Sequence, residues 1–67
     1  MISYEPLWKT LKGKKITTYQ LIKDYNMSRG MLDKLKHDRN VNVETISRLC
    51  EMLDCRVEDI MEYRKQE

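Results

Sequence analysis

The chain has 67 residues, a formal net charge of +2, two Gly and one Pro. A chain this short buries roughly 60% of the surface its unfolded form exposes, so it makes a single domain over 1–67 with little room for both a substrate cavity and a catalytic apparatus. The excess of aliphatic, Met and Tyr residues over Gly and Pro favours packed helices over a sheet with many turns.

The charge is unevenly spread. Residues 9–39 hold nine Lys/Arg and three Asp/Glu (+6), residues 40–67 hold four and seven (−3), and residues 1–8 add −1. A basic part followed by an acidic one fits a protein that meets an anionic partner on one side; the alternative is a solvated surface with chance asymmetry. The first apolar run is broken by Ser3, Glu5 and Lys9, far short of the ~18 apolar residues of a membrane span. The expectation is a cytoplasmic protein that makes no use of a membrane, with Cys50 and Cys55 as reduced, structurally buried thiols. Their spacing fits no common zinc pattern, and no second Cys or His pair completes a site, so no metal or other cofactor is expected.

Residues 4–12 read as a first helix capped by Ser3, with Pro6 tolerated in the first turn and Leu7, Trp8 and Leu11 as its apolar stripe. Trp8 fits the core better than a base-stacking platform. Gly13 ends this helix. The lysines at 12, 14 and 15 suit a helix C-terminus, and phosphate contact is equally compatible with them.

Residues 17–36 read as two short helices joined by a tight turn. Thr17 and Gln20 have capping-box spacing, and Ile16 and Leu21 that of a hydrophobic staple. Asn26 tolerates the left-handed conformation that ends a helix. Met27 plugs the turn, Ser28 caps the second helix, and Leu32 and Leu35 face inward. This leaves Arg29, Gly30, Asp33 and Lys34 facing outward near the helix start, where a helix-turn-helix meets base edges in the major groove. The polar loop 37–40 follows. Its His37, the single histidine, has no nucleophile or second ligand nearby and suits a surface position close to phosphate.

Asn42 caps a fourth helix whose apolar positions Val43, Ile46, Leu49, Cys50 and Leu53 make the cleanest amphipathic pattern of the chain. Residues 57–63 read as a short fifth helix with Glu58 and Asp59 in its first turn, and residues 64–67 as a fraying end.

These residues together resemble the Cro/C1-type (XRE-like) helix-turn-helix family. The resemblance is carried by Ile16-Thr17 leading to Leu21, by Met27-Ser28, by Leu32 and Leu35, and by Val43 to Leu53. The opening YEPLWKTLKGKKIT and the closing LCEMLDCRVEDIMEY are similar to a small stand-alone bacterial and phage subgroup. The resemblance implies an all-α, compact five-helix bundle of the lambda-repressor-like type, with a DNA-reading unit at helices two and three and a role in transcriptional regulation. Carried over by position, it implies base reading by Arg29, Gly30, Asp33 and Lys34. It also implies phosphate contacts from Thr18, Ser28, Arg39 and Asn40. Four positions depart from the family pattern. Ile22 stands where a small Ala is usual, Asn26 where the turn has Gly, and Lys36 where Glu is frequent. Gly30 replaces a base-reading side chain, so either the backbone approaches DNA there or the position does not read sequence.

Arg29 has the two parallel donors that match guanine O6 and N7, and Lys34 reaches a second guanine or a phosphate. Asp33 either accepts from a cytosine amino group or pairs with His37 at i+4, the second being favoured. Lys12, Lys14, Lys15, Lys36 and Arg39 would supply salt-sensitive, sequence-independent affinity. One domain offers few base-reading side chains, so a weak homodimer on a palindromic double-stranded operator is expected. Val57, Met61 and Tyr63 are the candidate interface, unless they merely close the core. A second reading is a protein-interaction module of the same fold, antitoxin-like or co-regulatory, working through the acidic C-terminal half. No glycine-rich phosphate loop or nucleophile–base pair is recognisable by spacing, so neither an enzyme nor a small-molecule substrate is expected.

Overall fold

The computed structural model describes residues 1–65. The chain runs through β1 (Ile2–Ser3), α1 (Glu5–Gly13), α2 (Thr18–Lys23), α3 (Arg29–Lys36) and α4 (Val43–Leu53), then a single 3₁₀ turn (Val57–Asp59) and β2 (Glu62–Tyr63). Among the described residues there are four helices and a two-stranded sheet, so the expected all-α five-helix bundle is corrected at its ends.

The helix starts follow local side-chain chemistry. Thr17 and Gln20 form the reciprocal capping box, with Gln20 N–H donating to Thr17 Oγ1 at 3.1 Å and Thr17 N–H to Gln20 Oε1 at 2.8 Å. Ser28 Oγ accepts from Met31 N–H at 3.0 Å, and Asn42 Oδ1 accepts from Thr45 N–H at 2.9 Å. Helix α1 starts differently from the expectation. Tyr4 occupies its N-cap position, Ser3 Oγ accepts from Glu5 N–H at 3.2 Å, and Tyr4 N–H donates to Asp38 Oδ1 at 2.9 Å.

The helix ends share one device. Lys15, Asn26, Asp38 and Asp54 all adopt left-handed backbone, with φ between 49° and 58°, and no glycine does. After α1, α3 and α4 the paired bonds of a Schellman stop are present: Ile16 N–H to Leu11 O, Arg39 N–H to Lys34 O and Cys55 N–H to Cys50 O at 2.8–3.0 Å, each with its shorter-range partner. Each such residue forgoes about 1–2 kcal/mol relative to ordinary backbone, which tertiary packing offsets. At the α4 stop, Cys50 and Cys55 are the two half-buried residues brought together, and both are free thiols. Burial raises the Cys55 pKa, with the neighbouring Cys50 and Asp59 adding and Lys14 opposing.

The core gathers Tyr4, Leu7, Leu11, Leu21, Met27, Leu32, Leu35, Ile46, Leu49, Leu53 and Ile60, with Trp8 packed against it partly buried. Val43, expected in this stripe, is 83% exposed; it stands at the first position of α4, off the line of Ile46, Leu49 and Leu53.

The expected fifth helix over 57–63 is one turn long. Asp59 ties back to Arg56 N–H at 3.0 Å, and Ile60 is fully buried, in the segment that packs on α1 and α4. The chain then extends, because Glu62 and Tyr63 gain ladder bonds that a lone turn of helix lacks. β1 and β2 pair antiparallel in the register Ile2↔Tyr63 and Ser3↔Glu62. The ladder is prolonged by Arg64 N–H to Met1 O at 2.7 Å and by the Met1 amino group to Arg64 O at 2.6 Å. Arg64 also engages Glu5 and Glu62. It is therefore held rather than frayed; residues 66–67 of that expectation lie outside the described residues.

Replacing buried Leu49 by Ala is expected to cost about 2–5 kcal/mol. The same change at Val43 is expected to stay within about 0.5 kcal/mol. Urea unfolding followed by far-ultraviolet dichroism measures both.

Candidate nucleic-acid interface

Helices α2 and α3 are held by what lies between them. Leu21 is fully buried, its carbonyl accepts from Met27 N–H at 3.0 Å, and Met27 closes the turn at 9% exposure. The left-handed Asn26 lets the chain reverse there. Leu32 and Leu35 are buried on the inner edge of α3. At about 100° per residue, this inner edge puts Gly30 at the centre of the outer face. Asp33 and Lys34 flank it, and Arg29 leans toward α2.

An open groove between the two helices is lined by Thr18, Tyr19, Ile22, Arg29, Asp33 and Lys36. Four of the sequence-derived positions therefore meet in one place: Thr18, Arg29, Asp33 and Lys36. Ser28, Gly30, Lys34, His37, Arg39 and Asn40 are exposed around it. Ile22, at the position where a small residue was noted as usual, forms part of the groove floor with Leu32. Lys14 lies elsewhere, near the Cys55 thiol at the C-terminal end of α4.

Charge on this surface is sorted by hydrogen bonding. His37 Nδ1 lies 2.9 Å from the Asp33 carbonyl oxygen and 3.2 Å from its carboxylate Oδ1, which is the i+4 pairing favoured from sequence. Asp38 turns its carboxylate to Tyr4 N–H. Among the described residues, Arg29, Lys34, Lys36 and Arg39 take part in no ion pair. The segment thus presents four free cations, while its two carboxylates are engaged within the protein. Ser28 uses an oxygen lone pair to cap α3 and keeps its hydroxyl proton for an outside acceptor.

Two features of the surface escaped the sequence reading. Tyr19 is 64% exposed beside the groove, with Lys23 Nζ 5.8 Å from its ring centroid; an aromatic off the apolar stripe of α2 was the available signal. The loop after α3 is tied to Tyr4, whose hydroxyl donates to Arg39 O at 2.9 Å; nothing local to either segment announces that contact. Of the expected dimer residues, Val57 and Tyr63 are exposed, whereas Met61 is partly buried against the core. The cross-strand neighbour of Tyr63 is Ile2, also exposed.

Residues 6–66 match the Cro/C1-type HTH DNA-binding domain family, and the chain belongs to that family. Among solved structures it is similar to the transcriptional regulator VanUg, with 31% identity and a TM-score of 0.83 over 91% of this chain and 81% of that one. No protein of curated function matches. The family and this likeness support a DNA-binding regulator, with double-stranded DNA as the partner. No helix among the described residues is long and apolar enough to cross a membrane.

Gly30 is helical with ordinary backbone, and a Cβ built there meets nothing within 4 Å. Gly30→Ala is therefore expected to stabilise the free protein by about 0.5–1 kcal/mol. That corresponds to a rise in thermal midpoint of about 2–8 °C, read by calorimetry.

Proposed function

We propose that this protein is a sequence-specific transcriptional regulator that reads the major groove of double-stranded DNA with α3. The observation that carries the proposal is the set of unpaired cations on and beside α3, with the neighbouring carboxylates held by internal partners. An exposed helix with its inner edge locked by Leu32 and Leu35 has the form that enters a major groove.

In this reading Arg29 donates to guanine O6 and N7, and Lys34 reaches a second guanine or an adjoining phosphate. Gly30, at the middle of the outer face, lets the helix backbone approach the bases closely. Asp33 stays with His37, so its charge is directed away from base reading. Thr18, Ser28, Lys36, His37, Arg39 and Asn40 surround these groups and contact phosphates on either side, fixing register and orientation. The few base-reading positions call for a palindromic operator bound by a weak homodimer. Val57 and Tyr63 supply the exposed apolar part of its contact, with Met61, partly buried against the core, as the third residue.

Selection of bound sequences from a random duplex pool tests this. The expected result is an enriched palindrome, and Arg29→Ala relaxes one base pair per half-site at a cost of about 1–3 kcal/mol in discrimination. Absence of enrichment at low salt would favour the protein-interaction module instead. Sedimentation on the enriched duplex is expected to give two chains per palindrome, and a single bound chain would contradict the dimer.

A further inference from the structure

Tyr4 opens α1, yet two of its polar groups are spent on a loop far along the chain. Its N–H donates to Asp38 Oδ1 and its hydroxyl to Arg39 O, both at 2.9 Å. The ring itself is in the core at 4% exposure. On one side Tyr4 is fixed by β1, whose ladder with β2 begins at the preceding residue, and on the other by α1. Asp38 is left-handed with φ 53°, and Arg39 N–H donates to Lys34 O at 2.8 Å. The loop is thus pinned at one end by the C-terminal stop of α3 and in its middle by Tyr4.

Two consequences follow. The Asp38 carboxylate accepts from Tyr4 N–H at the first turn of α1, where the helix dipole favours a negative charge. The Arg39 and Asn40 side chains are left exposed. Burial raises the Tyr4 pKa, with the Val41 backbone opposing and Asp38 adding to the rise, so the phenol keeps its proton and remains a donor.

We infer that Tyr4 and Asp38 are positioning residues, which hold the loop of residues 37–40 in the conformation that places Arg39 and Asn40 on the DNA phosphate backbone. The inference rests on the DNA-binding reading above. A loop already ordered in the free protein spends less conformational entropy on binding than one that must order against the duplex. Because phosphate contacts carry no sequence information, the effect is on affinity and salt dependence and leaves base preference unchanged.

The test is a salt titration of binding, by fluorescence anisotropy, to the selected duplex and to a random-sequence duplex. Tyr4→Phe removes only the hydroxyl. Asp38→Ala removes the carboxylate, whereas Asp38→Asn keeps an acceptor and tolerates left-handed backbone. Tyr4→Phe and Asp38→Ala are expected to bind both duplexes about three- to tenfold more weakly. Their salt slopes should be shallower and the ratio between the duplexes unchanged, while Asp38→Asn binds at least as well as the parent.

Parental binding by a folded Tyr4→Phe and a folded Asp38→Ala at every salt concentration would overturn the inference and leave the DNA-binding reading intact. A changed ratio between the duplexes would also overturn it, because the loop would then act in base reading. A parent that binds neither duplex would overturn both. If Tyr4→Phe does not melt cooperatively, the contrast between Asp38→Ala and Asp38→Asn decides alone.

Discussion

The burial of Leu21, Met27, Leu32 and Leu35 between α2, α3 and the rest of the core is the contact on which the molecule depends. α2 has six residues and α3 has eight, both below the ~12–15 residues that an isolated helix needs in water. Neither exists without the other or without α4 behind them. The same side chains that make these helices possible fix the angle at which α3 leaves the surface. Stability and recognition therefore draw on the same few leucines, and the outer face of α3 is free to carry polar chemistry because its inner edge is anchored.

On that frame the surface charge is arranged by occupation. Asp33 is taken up by His37 and Asp38 by Tyr4 N–H, and the cations interleaved with them are left without partners. The pair at His37 is exposed and contributes little to stability, about 0–1 kcal/mol. Its consequence is one of position: the Asp33 carboxylate lies 3.2 Å from the His37 ring nitrogen, on the helix that carries Arg29, Lys34 and Lys36. The small β1–β2 ribbon pairs Ile2–Ser3 with Glu62–Tyr63. By fixing Tyr4 it links the chain ends to the loop beside the proposed DNA surface, a connection that spans 34–35 residues.

Features set by neighbours in the chain were legible in the sequence. The Thr17–Gln20 box, the caps at Ser28 and Asn42 and the left-handed Asn26 all follow from residue types whose side chains bond their own backbone. The outer face of α3 and the Asp33–His37 pair follow from helical spacing. Features set by distant partners were not legible. Lys15 takes a left-handed conformation that its residue type does not announce, whereas Asp38 and Asp54 take one that aspartate tolerates but does not require. The segment 57–63 has helical composition, yet Ile60 is drawn into the core and Glu62–Tyr63 find a partner strand at the other end of the sequence, in the register Ile2↔Tyr63 and Ser3↔Glu62. Val43 fits the apolar stripe by spacing but stands at the first position of α4 and remains exposed. The Tyr4 contacts belong to the same class, which is why α1 was expected to be capped by Ser3 alone.

The central claim is that α3 enters the major groove and reads guanine there. Methylation interference on a bound duplex tests it most directly, because guanine N7 lies in the major groove and adenine N3 in the minor groove. The account predicts that methyl groups on a small number of guanine N7 atoms abolish binding, while methylated adenine N3 between them is tolerated. Interference confined to adenine N3, or binding indifferent to methylation in either groove, would contradict it.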